Sequence, residues 1–176
     1  MRINPVALQS KKWLSESLLQ LMDSKQFSLI TIKEITEKAQ LDRKTFYRHF
    51  KSKEEVLSWS MEEMYQKYYK NLTSLEQLNT YTVSETYFSL CIEYLPMLKL
   101  LHKNGLLNMI LTQFNKYLTE LNHIFSQHPT YRKKSKYELF YQSGGFWNVT
   151  LLWIENGATE SAQELAKIVS AIMPTL

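Results

Sequence analysis

The sequence predicts an all-α chain, with a three-helix N-terminal head joined by a long helix to a helical-bundle body. Three observations carry this prediction. Glycine and proline number four each, and no glycine precedes Gly105, which is too little turn chemistry for an all-β fold. Apolar residues recur at three- and four-residue steps along most of the chain. Polar N-cap residues followed three places later by glutamate recur between those stretches.

A length of 176 residues suits one domain, or two small ones sharing a core. A hydrophobic fraction of 44% is enough to bury such a core. The single cysteine, Cys91, excludes an intramolecular disulfide framework and a multi-cysteine zinc site. It suits a reducing, cytoplasmic compartment. No secretory leader is expected at the N-terminus, and no apolar run nears the ~18 residues of a membrane span. Without early glycines there is no phosphate-cradling loop, so the common nucleotide-binding fingerprints are excluded.

Charge is unevenly placed. The whole chain carries a formal charge of +4. Residues 1–60 hold 11 basic and 7 acidic residues, whereas residues 61–176 hold 10 of each. Ten of the 11 tyrosines lie beyond residue 60, and Tyr47 is the exception. A basic head and a neutral aromatic body suit a polyanionic partner such as DNA, because each neutralised phosphate releases counterions.

The first helix is expected over Pro5 to Ser24, with Leu8, Leu14, Leu18 and Met22 on its apolar side. Thr31 and Glu34 form a capping box that opens a short helix, Ile32 to Lys38. Asp42 is an N-cap for a second short helix, Arg43 to Phe50, in which Phe46 and Phe50 face the core. Ser52 and Glu55 form a further capping box that starts a long helix to about Asn71, with Met64 and Tyr68 in its apolar stripe. Two short helices separated by a few residues and framed by longer ones have the layout of a helix-turn-helix.

The run Thr31-Ile32-Lys33-Glu34-Ile35 through Thr45-Phe46-Tyr47-Arg48-His49-Phe50-Lys51-Ser52-Lys53 to Leu57 resembles the DNA-binding head of the TetR/AcrR family of transcriptional regulators. The resemblance covers residues 8–60. Gln40 departs from it, standing where the family often has glycine in the turn, and a left-handed backbone there would carry a small cost. The resemblance implies a homodimeric, cytoplasmic regulator with residues 1–52 as the DNA-binding domain and 53–176 as the regulatory and dimerisation domain. It further implies an inverted-repeat, double-stranded DNA operator, repression as the default, and a small-molecule or protein effector.

Arg43, Lys44 and Thr45 occupy the first turn of the second short helix, the part that meets base edges. Arginine and lysine suit guanine, and the threonine methyl suits thymine. The family pattern implies phosphate contacts from Tyr47 and His49. Lys53 is expected to add charge at a helix N-terminus facing a phosphate. Thr31 either caps its helix alone or also presents that N-terminus to a phosphate.

The body reads as five helices: Val83 to Tyr94, Met97 to Lys103, Leu106 to Phe125, Lys136 to Asn156 and Ser161 to Met173, with a basic connector from His128 to Lys136. Phe140, Gly144, Trp147, Leu151 and Ile154 step by four and three residues, as Leu165, Val169 and Ile172 do. These two seams either close a two-fold four-helix interface, the dimer mode of the family, or face their own core. The stretch from Tyr141 to Trp147 and on to Gly157 is similar to the family branch that includes dihydroxyacetone-kinase operon regulators, some of which respond to a protein.

Tyr87, Tyr94, Met109, Phe114, Tyr117, Tyr141 and Trp147 are candidate lining for an apolar or aromatic pocket between bundle helices, with Glu93, Lys99 and His102 as nearby polar residues. His102, His123 and His128 have no paired-ligand spacing, so no metal, cofactor or catalytic site is expected. The rival reading is a protein-interaction module, with the body docking a partner protein as a co-activator.

Overall fold

Among the described residues, six helices start at a side chain that accepts its own N3 amide. The pairs are Thr31 with Glu34, Asp42 with Thr45, Ser52 with Glu55, Asn79 with Thr82, Ser135 with Glu138 and Ser161 with Glu164. These caps set where the chain changes direction, because each satisfies an amide that no helical carbonyl reaches. The computed structural model describes residues 5–127 and 131–173. Its helices are α1 (Pro5–Ser24), α2 (Ile32–Lys38), α3 (Arg43–His49), α4 (Lys53–Thr73), α5 (Thr80–Glu93), α6 (Leu95–Lys103), α7 (Asn108–Phe125), α8 (Lys136–Glu155) and α9 (Ala162–Ile172), with a 3-10 turn at Phe27–Leu29. No strand occurs among the described residues, and no helix there is long and apolar enough to cross a membrane.

The all-α architecture is as the sequence predicts, with local differences that have identifiable causes. At the start of α4, the Glu55 carboxylate bonds the Lys51 amide at 2.7 Å instead of returning to Ser52. Helix α5 begins three residues before the expected Val83, because Asn79 and Thr82 cap each other. Pro96 lies in the first turn of α6, where a missing N–H costs nothing. Helix α7 starts at Asn108, two residues later than expected, because Gly105 (φ +68°) first closes α6, and the Leu106 amide reaches the Leu101 carbonyl at 2.8 Å.

Helix α2 closes the same way. Gln40 has φ +54°, and the Leu41 amide bonds the Thr36 carbonyl at 2.9 Å. This left-handed position is the one glycine takes at no steric cost. Gln40→Gly is therefore expected to stabilise the protein by about 0.5–1 kcal/mol after its greater unfolded-state entropy is offset. A thermal melt should show the midpoint rising by about 2 °C, and a fall would mean that the Gln40 side chain holds something in place.

One apolar cluster runs from Leu14 in α1 to Val169 in α9. In the head, Leu14, Leu18, Met22, Ile35 and Phe46 are fully buried, and Val56 and Leu57 of α4 extend this core. Helix α4 packs on α1 at its start and on α5 and α7 further along. In the body α9 lies along α5, and α7 pairs with α8. A buried Ser15–Ser60 hydroxyl pair, 2.6 Å apart, joins α1 to α4.

The predicted helical seams need correction. Trp147, Ile154, Leu165 and Val169 are buried within their own chain, and Gly144 and Leu151 are half-buried. Of the eight seam residues, Phe140 and Ile172 are exposed. The outward apolar face is rotated from the expected one. It carries Tyr137, Phe140, Tyr141 and Leu152 on α8, with Ile168 and Ile172 on α9. A shallow groove between them is lined by Tyr141, Gly144, Gly145, Val149, Ile172 and Met173.

Candidate functional site

Helix α3 is short because its cap and its contents leave it no choice. The Asp42 carboxylate accepts the Thr45 amide at one end. At the other end Phe50 turns extended and closes on the Phe46 carbonyl. Phe46 and Phe50 anchor the inner side, with ring centroids 6.0 Å apart. Residues 43, 44, 47 and 48 fall on the outer side by their three- and four-residue steps. Arg43, Lys44, Tyr47 and Arg48 are all exposed, and none of the three basic residues is ion-paired among the described residues. Thr45 is half-buried at the edge of this face. Arg48 was not among the residues expected to touch DNA, yet its step of four from Lys44 marks it as part of the same face.

His49 is half-buried beside this face. Burial holds its pKa below the usual 6.5, and the cations of Lys11 and Arg48 push it the same way. At neutral pH it is a neutral hydrogen-bonding group. Lys11 itself lies over the Phe50 ring, 5.7 Å from the centroid.

Thr31 does cap α2. Its hydroxyl accepts the Glu34 amide at 3.2 Å and donates to the Glu34 carboxylate at 2.7 Å. Lys25 bonds the same carboxylate at 2.6 Å. Hydrogen bonds from Lys25 and Thr31 hold the Glu34 pKa down at about 2, so a fixed negative charge covers the α2 N-terminus.

Lys53 is placed differently from expectation. Its ammonium donates to the carbonyls of Phe27, Ser28 and Ile30 at 2.7, 3.0 and 2.8 Å. It also lies 4.7 Å from the centroid of the Phe27 ring. An ammonium has three protons, and all are used inside the head, so none is left for a phosphate. From the other side the Phe27 amide donates to Asn104 Oδ1 at 2.7 Å, and Lys103 bonds the Asp23 carbonyl at 2.5 Å. The Phe27–Leu29 turn is thus clamped between the start of α4 and the end of α6.

The body holds a cavity of about 110 Å³ walled by α4, α5, α7 and α8. Of the seven candidate pocket residues, Tyr87, Phe114 and Trp147 line this cavity and the other four do not. Tyr141 is 81% exposed on the outer face. Tyr94 sits at the α5–α6 junction, and Met109 packs on the core edge. Tyr117 stacks on Tyr65 with centroids 3.6 Å apart, and its hydroxyl donates to Glu62. Burial and that bond push Tyr117 up to about 12. Glu93 pairs with Lys67, and Lys99 and His102 are exposed. None of the three borders the cavity. Lining residues that sequence reasoning passed over include Tyr68, Tyr131 and Gln142. Tyr68 was readable only as one more member of the α4 apolar stripe.

Cys91 is buried, and burial pushes its thiol up to about 12. A thiol held protonated in an apolar core is an inert packing group. Among the described residues no cluster of histidine, cysteine, aspartate or glutamate is arranged to hold a metal. His128 lies outside the described residues.

A capped pair of short helices with an unpaired basic outer face, carried on an all-α body, defines a helix-turn-helix DNA-binding protein. Residues 16–58 match the family model of the bacterial regulatory proteins of the tetR family, so the head of the chain is a TetR-type DNA-binding domain. The fold of the whole chain is similar to that of the fatty acid degradation regulator FadR from Bacillus halodurans, at a TM-score of 0.67 and 14% identity, covering 98% of this chain and 96% of that one. It is likewise similar to the dihydroxyacetone kinase operon activator DhaS, at a TM-score of 0.62 and 19% identity, covering 93% of each chain. No curated protein sequence matches the chain significantly.

Proposed function

We propose that this protein is a cytoplasmic homodimer that binds an inverted-repeat operator through residues 1–52 and represses nearby genes until an effector occupies residues 53–176. The observation that carries the reading is the outer face of α3, where Arg43, Lys44 and Arg48 stand exposed with no acid paired to them among the described residues. Arg43, Lys44 and Thr45 meet base edges, while Tyr47, His49 and Arg48 meet the backbone. Thr31 serves the interface by fixing α2.

The dimer face is the exposed apolar surface of α8 and α9 described above. Gly144 and Gly145 support this choice. A glycine inside a helix costs about 1 kcal/mol relative to alanine, and a Cβ at either position would meet nothing within 4 Å in this chain. The cost is offset if a second helix approaches there closely. A two-fold pair of heads then reads half-sites about 34 Å apart or a multiple of it.

The largely apolar cavity walled by α4, α5, α7 and α8 favours a small-molecule effector, acting by linkage of typically ~1–3 kcal/mol between two head spacings. A second reading is that the chain activates, as the operon activator of similar fold does, with the exposed apolar face of α8 and α9 docking a partner protein.

Selection of genomic fragments by the purified protein, followed by salt titration of the best one, tests the proposal. An enriched palindrome with a steep salt slope is expected. On that operator Arg43→Ala or Lys44→Ala should cost about 1–3 kcal/mol and relax one base position, whereas Tyr47→Phe should weaken all sequences alike. Equal losses on operator and random DNA would sink the base-contact assignment. No enrichment at low salt would move the partner-protein reading ahead.

A further inference from the structure

The polar groups around the body cavity divide into those already used and those left over. The Tyr87 hydroxyl is 3.0 Å from the Thr150 hydroxyl, which itself donates to the Phe146 carbonyl. The Tyr131 hydroxyl donates to Asn122 Oδ1 at 2.9 Å. The Asn122 amide is further held by the Lys134 carbonyl and N–H, and Ser143 donates to Asn115 at 2.8 Å. Two groups remain. Tyr68 is 6% exposed and lines the cavity, and its hydroxyl bonds to nothing among the described residues. Gln142 lines the same space, and its carboxamide is equally unpartnered there. Among the described residues the fully buried hydroxyls without a partner are those of Tyr65 and Thr80, so the Tyr68 hydroxyl is reachable from the cavity that Tyr68 lines. The remaining walls are aliphatic and aromatic, with no acidic or basic side chain among them.

A charged ligand would give up part of its hydration against these walls with no opposite charge to replace it, which disfavours it. A purely apolar ligand would leave both spare groups unsatisfied. At about 110 Å³ the space is somewhat smaller than a ~150 Å³ cavity that admits benzene. We propose that the cavity binds a small, uncharged, largely apolar molecule whose single polar group is met by the Tyr68 hydroxyl and the Gln142 carboxamide. Burial keeps the Tyr68 hydroxyl protonated, so it serves as donor to a carbonyl or hydroxyl oxygen. The inference rests on the effector reading above and gives that effector its chemistry. Tyr68 lies on α4, the helix whose first residue is Lys53, roughly 22 Å away along the axis. A ligand pulling on Tyr68 therefore acts on the helix that braces the head.

Three probes of similar size test the class: cyclopentanone, cyclopentylamine and cyclobutanecarboxylate, titrated into full-length protein and followed by amide NMR shifts. Cyclopentanone is expected to bind with a Kd on the order of 1 mM or tighter and to shift residues around Tyr87 and Phe146. The two charged probes are expected to bind at least roughly tenfold more weakly. Tyr68→Phe removes only an unpartnered hydroxyl, so the fold should persist while ketone affinity falls roughly five- to tenfold. Gln142→Leu gives an independent loss. Absence of ketone binding, equal binding of a charged probe, or full affinity in Tyr68→Phe would each overturn the proposal. Operator affinity measured with the ketone bound is a separate readout. Binding without operator release would uphold the ligand class and remove the effector reading.

Discussion

Replacing Lys53 with methionine is expected to lower stability by about 2–4 kcal/mol and to leave the salt slope of DNA binding unchanged. The methionine keeps the length of the stem and deletes only the ammonium. Three carbonyls of the Phe27–Leu29 turn and Ile30 then lose their donor. Hydrogen bonds to a charged donor contribute about 1.5–3 kcal/mol in favourable cases, and partial exposure of Lys53 to water reduces the sum. For a chain of this size the melting midpoint should drop by about 4–12 °C. The turn also carries the Phe27 amide bond to Asn104, so its loosening should speed amide exchange from Phe27 to Ile30 ahead of global unfolding. DNA affinity should fall equally on all sequences, because the head is less often folded. A phosphate-contacting lysine gives the opposite pattern, with an unchanged melting midpoint and a salt slope smaller by about 1. Measuring both quantities on one variant separates a brace from a contact, and the second pattern would overturn the structural role.

The same residue shows what was legible in the sequence. The head could be read nearly whole because its signals are local. Thr31 with Glu34, and Asp42 before Arg43, fix helix starts within a few residues of chain. Phe46 and Phe50 at a step of four fix the buried side. Lys53 was also correctly placed in a first turn, but its partners lie 23 to 26 residues earlier. No spacing rule reports a contact across that distance. In the body the difficulty is different. Helix α8 is apolar around much of its circumference, with Trp147 and Ile154 buried on one side while Tyr137, Tyr141 and Leu152 stand exposed on another. A step of four and three residues fits either face, so periodicity identifies a helix without saying which face is inside. The cavity suffered the same ambiguity. Tyr117 and Tyr68 both sit at helical spacing, yet one is spent on Glu62 and the other borders open space.

The double substitution Leu152→Glu with Ile172→Glu is expected to leave a folded monomer whose operator affinity is at least about a hundredfold lower. Leu152 is 59% exposed and Ile172 is 69% exposed, so glutamate at either site costs little in the isolated chain. In a two-fold dimer each substitution occurs twice, and burying a leucine or isoleucine stabilises by about 1.5–3 kcal/mol. The combined loss, with added like-charge repulsion, exceeds about 4 kcal/mol and is roughly a thousandfold in the dimer constant. Operator binding falls because the second head loses its high effective concentration beside the first. Trp147→Glu is the contrasting change. Trp147 is 6% exposed, so an unpaired carboxylate there unfolds the body itself, and its circular dichroism should collapse together with its dimer. The glycine pair supplies a test in which the two effects have opposite signs. Gly144→Ala with Gly145→Ala removes two helix-breaking residues, each costing about 1 kcal/mol, and should raise the stability of the monomer. If a partner helix closes on that backbone, the same two methyl groups hold it away and weaken the dimer. Sedimentation and thermal melts on this variant should therefore move in opposite directions, and a variant that melts higher while dimerising as tightly would place the interface elsewhere.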